Sequence, residues 1–297
     1  MSGSAQLVAV LRGAGGPRVL GRDEAIVHAD DLGLTRGDGC FDATLVVAAD
    51  GSGPRQVLHL DRHLARLDRS AAGLGIDNPP ATEWAALVQE ALAHPLAPPE
   101  ESMLKLVLTR GREERPDGVF AYLTVTPLPE ATIAARTGGI HVATMTRGMP
   151  SDAFADAPWI LGGIKTIAYA VNMAVNREAA RRGATDALFT STDGYVLEGP
   201  TSALIIRTGD RLTTTPTGAT GVLASITVET LFEAAAADGF EVTHRLMRPD
   251  EVHAADGAWF VSSVRGVAPI RLLDGQELAF DAETTARLAR LAGFPAA

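Results

Sequence analysis

The sequence predicts a two-domain chain of the α+β or mixed α/β class, with a small N-terminal domain and a larger C-terminal domain. Three observations support this prediction. β-rich runs alternate with two amphipathic helical patterns before residue 126, a punctuated segment without a clear period follows, and a second series of strands and helices fills the remainder. The 297 residues are enough for one large domain or two modest ones with a real core.

The first domain, residues 1–126, reads as a small α+β unit. Its helical patterns place apolar residues three and four positions apart, whereas its β-rich runs are short and bounded by turn residues. The predicted strands are Gln6–Leu11, Thr44–Ala48, Leu104–Thr109 and Phe120–Thr126, and the predicted helices are His59–Gly75 and Thr82–Ala93.

The second domain, residues 139–297, is separated from the first by a predicted linker, residues 127–138 (PLPEATIAARTG), which shows no clear period. Strands and helical patterns then recur, with strands of mixed direction expected. The predicted strands are His141–Thr146, Ala187–Thr190, Ala203–Arg207, Glu241–Leu246 and Ala258–Ser262, and the predicted helices are Thr166–Arg182, Ser225–Ala237 and Thr284–Leu291.

Composition narrows the classes of function. The net charge of −10 argues against nucleic acid or an anionic membrane as a main partner. No apolar run reaches membrane-spanning length, and the segment MSGSAQLVAVLRG lacks the pattern of a signal peptide. The single cysteine, Cys40, excludes an internal disulfide and predicts a cytoplasmic location. The seven histidines show no metal-ligand spacing, so we expect no metal.

A lysine and a carboxylate suggest pyridoxal phosphate (PLP) chemistry. Lys165 lies between the pair Gly162–Gly163 and an amphipathic pattern, and Glu198 precedes a Gly-Pro and an apolar strand. PLP needs an amine for a Schiff base and an acid that keeps its ring nitrogen protonated. Taken singly, each residue is more often an exposed charge.

A phosphate anchor is also present. Arg66 lies on a helix whose other face is leucine, and Ser225, Ile226 and Thr227 begin a helix whose first amides can bind an anion. The alternatives are a helix arginine whose stem covers apolar surface and a serine that only caps its helix. The order of these residues within longer matching segments decides between the two interpretations.

The longer segments resemble the class IV aminotransferases, the fold type IV PLP enzymes. The resemblance runs from about Asp30 to Ile270, in the order of the family. The matching segments are GDGCFDATLV, HLDRHLARLDRSAAGLGI, IKTIAYAVNMAVNREAARRGATDALFTSTDGYVLEGPTSALII, TTTPTGATGVLASITVETL and WFVSSVRGVAPI. The resemblance implies a small N-terminal α+β domain, a larger barrel-like C-terminal domain, PLP between them, and a homodimer.

The resemblance also assigns residues. Lys165 matches the Schiff-base lysine, and Glu198 matches the acid that pairs with the pyridine nitrogen. The positions that match phosphate-binding residues are Arg66, Ser225, Ile226, Thr227 and Ser263. Ser225 stands where the family has glycine, which puts the shape of that turn in question.

Within the family, the run GDGCF resembles the aminodeoxychorismate lyases, whereas D-amino-acid transaminases more often carry an aromatic hydroxyl at the position of Phe41. The D-enzymes also have an Arg-x-His carboxylate trap, and here Asp117 follows Arg115 where that histidine would stand. An acid there would repel a carboxylate. The resemblance therefore favours a lyase that eliminates pyruvate from 4-amino-4-deoxychorismate and gives 4-aminobenzoate, in folate biosynthesis.

The substrate of that lyase is a small anionic amine with two carboxylates. Arg36, Arg115 and Arg265 are the candidates to bind them, although Arg265 has about even odds of pointing outward. The alternative reaction is transamination of D-amino acids, branched-chain amino acids or amines, and a non-catalytic module is the third possibility. Lys165 and Glu198 serve the lyase and the transaminase alike.

Overall fold

The computed structural model describes residues 6–13, 15–48, 55–114 and 118–295. The chain divides into two compact units. The first consists of Met1–Pro129 and Ile164–Ala168, and the second of Glu130–Gly163 and Tyr169–Ala297. Within the described ranges, every helix is too short or too polar to cross a lipid bilayer.

The first unit is built on a six-stranded antiparallel sheet in the order β2-β1-β6-β5-β3-β4. Alternate residues of its strands pack against two helices, with Leu67 and Trp84 fully buried between the layers. Its strands are β1 (Leu7–Arg12), β2 (Arg18–Gly21), β3 (Gly39–Ala48), β4 (Arg55–Val57), β5 (Ser102–Thr109) and β6 (Phe120–Pro127), and its helices are α1 (Leu32–Arg36), α2 (Leu60–Leu74) and α3 (Ala81–Ala93).

The second unit contains an eight-stranded mixed sheet in the order β11-β10-β9-β12-β13-β7-β8, with β14 paired to β13. Phe260 and Ile270 are fully buried in its core. The strands are β7 (Ile140–Thr146), β8 (Asp186–Thr190), β9 (Ala203–Thr208), β10 (Arg211–Thr214), β11 (Glu241–His244), β12 (Gly257–Ser262), β13 (Gly266–Leu273) and β14 (Gln276–Glu277), and the helices are α4 (Glu130–Gly138), α5 (Ala170–Arg181), α6 (Ile226–Ala237), α7 (Pro249–His253) and α8 (Ala282–Leu291).

The segment predicted as a linker, residues 127–138, is largely helical. Helix α4 packs against β13, and Arg136 donates a hydrogen bond from Nε to the carbonyl oxygen of Arg265 at 2.7 Å. These tertiary contacts stabilise a helix whose own apolar period is weak. The domain bounds 1–126 and 139–297 stay a prediction.

The helix predicted at Thr166–Arg182 begins only at Ala170. The backbone of the preceding residues bonds instead to β3, so it cannot form the first helical turns. The sequence analysis did not predict β10 or β13. Strand β10 has only four residues, and β13 contains Pro269.

Candidate active site

Lys165 lies in an extended segment that pairs with the start of β3. The Phe41 amide donates to the carbonyl oxygen of Lys165 at 3.0 Å, and Thr166 forms a β-bridge with Cys40. The Lys165 amide in turn donates to Ser70 Oγ on α2 at 3.3 Å. The backbone on both sides of this lysine is therefore fixed by the first unit.

A glycine on α2 allows this close approach. A Cβ added to Gly73 would lie 2.6 Å from Cδ1 of Ile164, the residue before the lysine. Real Cβ contacts essentially never become that short, so a larger residue at position 73 would displace Ile164. Gly73 therefore leaves room for the end of the Ile164 side chain, next to Lys165.

The Lys165 ammonium rests on an aromatic ring that it shares with a second lysine. Nζ of Lys165 lies 4.5 Å from the centroid of the Phe41 ring, and so does Nζ of Lys105. Burial lowers the pKa of Lys105. Two amines therefore lie beside one ring in the first unit.

Arg66 is fixed by a buried carboxylate on β3. Its Nε and Nη2 donate to Oδ2 and Oδ1 of Asp42, each at 2.8 Å. His63 Nδ1 lies 2.7 Å from Oδ1 of the same aspartate, and both His63 and Asp42 are fully buried. Bidentate pairing of this kind fixes the guanidinium plane.

Burial and the neighbouring charges shift the pKa values of Asp42 and His63 in this cluster. Burial raises the pKa of Asp42, but the hydrogen bonds and charge of Arg66, helped by His63, outweigh it and hold the pKa well below its usual range. Burial lowers the pKa of His63 against the opposing pull of Asp42. The cluster thus consists of a carboxylate, a guanidinium and a neutral imidazole.

In the second unit, Glu198 follows β8 and lies half-buried. The Leu223 amide approaches both carboxylate oxygens, at 3.4 Å from Oε1 and 3.3 Å from Oε2. The backbone carbonyl oxygen of Glu198 accepts a hydrogen bond from the amide of Phe189 at 2.9 Å. Backbone contacts thus hold the acid on two sides.

Arg147 secures the loop that carries Leu223. Its Nη2 donates to the carbonyl oxygen of Thr220 at 2.5 Å, and its guanidinium lies 4.9 Å from the Phe154 ring centroid. Nε is buried without a hydrogen-bond partner among the described residues. Burial lowers the pKa of Arg147, and the charge of Glu198 partly offsets that shift.

The predicted phosphate turn is assembled at the start of α6. Ser225 caps the helix, since its Oγ accepts from the Val228 amide at 3.3 Å. Ile226 and Thr227 form the first helical turn, and Thr227 Oγ1 lies 3.1 Å from Ser263 Oγ. Serine thus fits at position 225, where its φ of −83° needs no glycine. Two hydroxyls and the helix start form a polar cluster that suits an anion.

The three predicted substrate arginines have different surroundings. Arg265 Nη1 donates to Oδ2 of buried Asp186 at 2.7 Å, so this cation is neutralised by an ion pair and does not point outward. Arg36 ends α1 and is exposed. Arg115 lies outside the described residues. The partner of Arg265 lies on a strand 79 positions away in sequence, and the roles of these three arginines toward the substrate stay predictions.

Sequence reasoning missed Lys105, Asp42, His63 and Arg147. One signal was available: Lys105 and Lys165 are the only lysines in the sequence, and every other basic residue except histidine is an arginine. In the described portion of the chain, no cluster of three histidine, cysteine or acidic residues suits a metal ion.

Comparison with known proteins identifies a family with a similar sequence. The sequence model of the family described as amino-transferase class IV matches residues 39–273. A bifunctional aminodeoxychorismate lyase / D-amino acid transaminase of Mycobacterium tuberculosis is 39% identical over 260 residues, which cover 85% of this chain and 88% of that protein. A D-alanine aminotransferase of Bacillus licheniformis is 25% identical over 262 residues, covering 88% of each.

Solved structures agree with this family. A hypothetical aminotransferase from M. tuberculosis in its apo form has a TM-score of 0.87 at 37% identity and covers 97% of this chain and 98% of its own. Structures with the same description are PLP-bound in one case and α-ketoglutarate and PMP bound in another. The predicted type IV fold and the predicted family are confirmed: this chain belongs to the class IV aminotransferases.

Proposed function

We propose that this protein is a PLP-dependent 4-amino-4-deoxychorismate lyase that releases pyruvate and 4-aminobenzoate. The observation that carries the proposal is the 39% identity, over 85% of the chain, to a relative described by that lyase activity. The run GDGCF points to the same subgroup, and in the structure its residues pair with the segment of Lys165.

The donor set fits PLP. Lys165 would hold the cofactor covalently, Glu198 would face the ring nitrogen, and Arg66 would contribute to the phosphate site. The remaining phosphate donors would be Ser225, Ile226, Thr227 and Ser263. The polar start of α6 suits a phosphate, and the PLP-bound and PMP-bound structural relatives support the same cofactor.

When bound, PLP supplies an electron sink for the carbon next to the reacting nitrogen. With the substrate amine bound, Lys165 would accept at Nζ the proton of that carbon. Removal of this proton would start an elimination in which its electron pair becomes a new ring double bond and the C–O bond to the enolpyruvyl group breaks. The enolpyruvate would take up a proton and leave as pyruvate, and the ring would become aromatic. Glu198 would keep the ring nitrogen protonated and so strengthen the electron sink.

Transamination of D-amino acids is the second candidate. Two comparisons favour it: the M. tuberculosis relative is described as bifunctional, and a structural relative holds α-ketoglutarate and PMP. In this reaction Lys165 would return the proton to the cofactor side instead of starting an elimination. Branched-chain substrates have weaker support, since a branched-chain relative at 35% identity covers only 37% of this chain.

An assay with two arms tests both reactions. The holoenzyme is incubated with aminodeoxychorismate alone, and 4-aminobenzoate and pyruvate are measured. It is separately given D-alanine with and without α-ketoglutarate, and PMP accumulation is followed. A lyase forms 4-aminobenzoate without a keto acid. A transaminase accumulates PMP until the added keto acid converts it back to PLP. Absence of 4-aminobenzoate would refute the lyase proposal.

We also propose that the enzyme is a cytoplasmic homodimer. Four exposed apolar side chains of the second unit lie close in sequence, on the two sides of Ile164–Ala168: Trp159, Ile160, Val171 and Met173. Such residues favour a protein–protein contact. Sedimentation of Val171→Glu tests this, with Leu34→Glu, an exposed leucine of the first unit, as the matched control. A dimer unaffected by Val171→Glu would exclude this surface.

A further inference from the structure

A segment that the proposed function does not use lies against the loop that reaches Glu198. Residues 147–163 follow β7 in the second unit and contain Phe154, whose side chain is half-buried. The ring of Phe154 lies against two glycines. A Cβ added to Gly162 would lie 2.5 Å from Cγ of this ring, and a Cβ added to Gly221 would lie 2.5 Å from Cε2. Both glycines therefore leave the space that the ring occupies.

Backbone hydrogen bonds join the same two stretches of chain. The amide of Phe154 donates to the carbonyl oxygen of Ala219 at 3.0 Å, and the amide of Gly163 donates to that of Gly221 at 3.0 Å. The two backbones are also in close contact, since a Cβ added to Gly162 would lie 2.9 Å from Cα of Gly221. The ring and these bonds together fix the course of the loop formed by residues 218–223.

Arg147 connects the ring to the same loop. Its guanidinium lies 4.9 Å from the centroid of the Phe154 ring, within the range of a cation–π contact, and its Nη2 donates to the carbonyl oxygen of Thr220. Its Nε is buried without a hydrogen-bond partner among the residues that the structure describes. The contact with the ring therefore offsets part of the cost of burying this cation.

The loop ends at the amide that meets the acid. The Leu223 amide lies 3.3 and 3.4 Å from the two carboxylate oxygens of Glu198. A single residue, Val222, separates this amide from Gly221, and Val222 is buried and donates from its own amide to Thr220 Oγ1 at 3.2 Å. Because the loop is short and internally bonded, a displacement at Gly221 also displaces the Leu223 amide.

We infer that Phe154 is a positioning residue, which holds the loop of residues 218–223 so that the Leu223 amide keeps Glu198 in the orientation that the ring nitrogen of PLP needs. The inference rests on the proposed function for the role of Glu198. Loss of the ring would leave the carboxylate in place but less restrained, so it would hold the proton of the cofactor less firmly. A purely structural role of Phe154 would lower stability without changing that proton.

Three variants isolate the contribution of the ring. Phe154→Leu removes the aromatic face and keeps an apolar side chain, whereas Phe154→Tyr keeps the ring and should restore the wild-type behaviour. Phe280→Leu is the matched control, because Phe280 also lies under a guanidinium of the second unit, that of Arg271, at 4.0 Å from its ring centroid. Arg147, whose charge acts on Glu198, is present in every variant.

The protonation of the cofactor is measured without turnover. Each holoenzyme is loaded with PLP that carries nitrogen-15 in its ring, and the chemical shift of that nitrogen is followed as the pH is raised. Phe154→Leu should lose the proton at least about one pH unit below the wild type, which corresponds to a tenfold weaker hold on it. Phe154→Tyr and Phe280→Leu should follow the wild type. An unchanged titration in Phe154→Leu overturns the inference.

Hydrogen exchange measures the geometric step separately. In mass spectrometry of the same holoenzymes, residues 218–223 should exchange at least tenfold faster in Phe154→Leu than in the wild type and in Phe280→Leu. Unchanged exchange of this loop also overturns the inference, because the loop is the route by which the ring acts. If Phe154→Leu does not fold, Phe154→Met is read in the same way.

The outcome for the proposed function is read from the wild type. If the wild type has neither lyase nor transaminase activity, the proposed reaction fails, while a ring proton that depends on Phe154 would still establish the positioning role. If Glu198→Gln leaves the titration of the ring nitrogen unchanged, the proposed role of Glu198 fails, and the inference fails with it. If only Glu198→Gln changes the titration, the role of Glu198 stands and that of Phe154 is refuted.

Discussion

Replacing Asp42 with Asn removes the counter-charge of a buried guanidinium. Arg66 makes two charged hydrogen bonds to this carboxylate, and the side chains are 7% and 0% exposed. Removing one partner of a buried pair destabilises a protein by about 3–5 kcal/mol, because the other charge remains buried without compensation. We expect Asp42→Asn to lower the free energy of unfolding by that amount at pH 7.

Urea unfolding without added PLP measures this loss. A surface pair serves as the control: Arg211 and Glu241 are 51% and 59% exposed, so Glu241→Gln should cost no more than about 1 kcal/mol. If Asp42→Asn costs no more than Glu241→Gln, the buried cluster does not anchor Arg66 as we argue.

The same variant predicts a pH dependence. The folded pKa of Asp42 is depressed below its unfolded value. The stability contributed by its charge is therefore fully present above the unfolded pKa of about 3.9 and is lost as pH falls through the folded pKa. The difference in stability between wild type and Asp42→Asn should shrink as the solution is acidified below about pH 4. A constant difference down to pH 2 would contradict this assignment.

Four further outcomes follow from the site. Lys165→Ala should abolish both activities and the visible absorbance of lysine-linked PLP, and it should prevent fixation of PLP by borohydride; activity above background would refute its role. Glu198→Gln should retain PLP but lower turnover by about 10²–10³-fold, the range for a group that stabilises developing charge; normal turnover would show that another group holds the ring proton. Arg147→Met should reduce the free energy of unfolding by about 1.5–3 kcal/mol through the lost charged hydrogen bond to Thr220, whereas Arg147→Lys should recover part of it. Cys40, buried and with its pKa raised to about 12 by burial and by Asp42, should resist a thiol reagent until the protein unfolds.

Features that depend on a local sequence motif could be predicted from the sequence. Lys165 and Glu198 lie in long matching segments, and the Ser225 cap follows from its position before an apolar period. The strands of the first unit were also found, because their alternation matches one buried face.

The remaining features depend on pairing between distant segments. Asp42 lies in the segment GDGCFDATLV, which resembles the family, but its partner Arg66 is 24 positions away on α2. The ion pair of Arg265 was not predicted, because nothing near it in sequence reveals Asp186. The start of α5 was misplaced because residues that suit a helix hydrogen-bond to β3 instead. Tertiary contacts decided each of these cases over local preference.

The segment Ile164–Ala168 has a consequence for how the protein is made. It belongs to the first unit, whose other residues end at Pro129. During synthesis, the ribosome therefore adds a further 34 residues, Glu130–Gly163, before it reaches the segment that the first unit still lacks. At about 5–20 residues per second the delay is a few seconds. In that interval the Phe41 amide has no Lys165 carbonyl to bond, so the nascent chain cannot complete its first unit before part of its second has been translated.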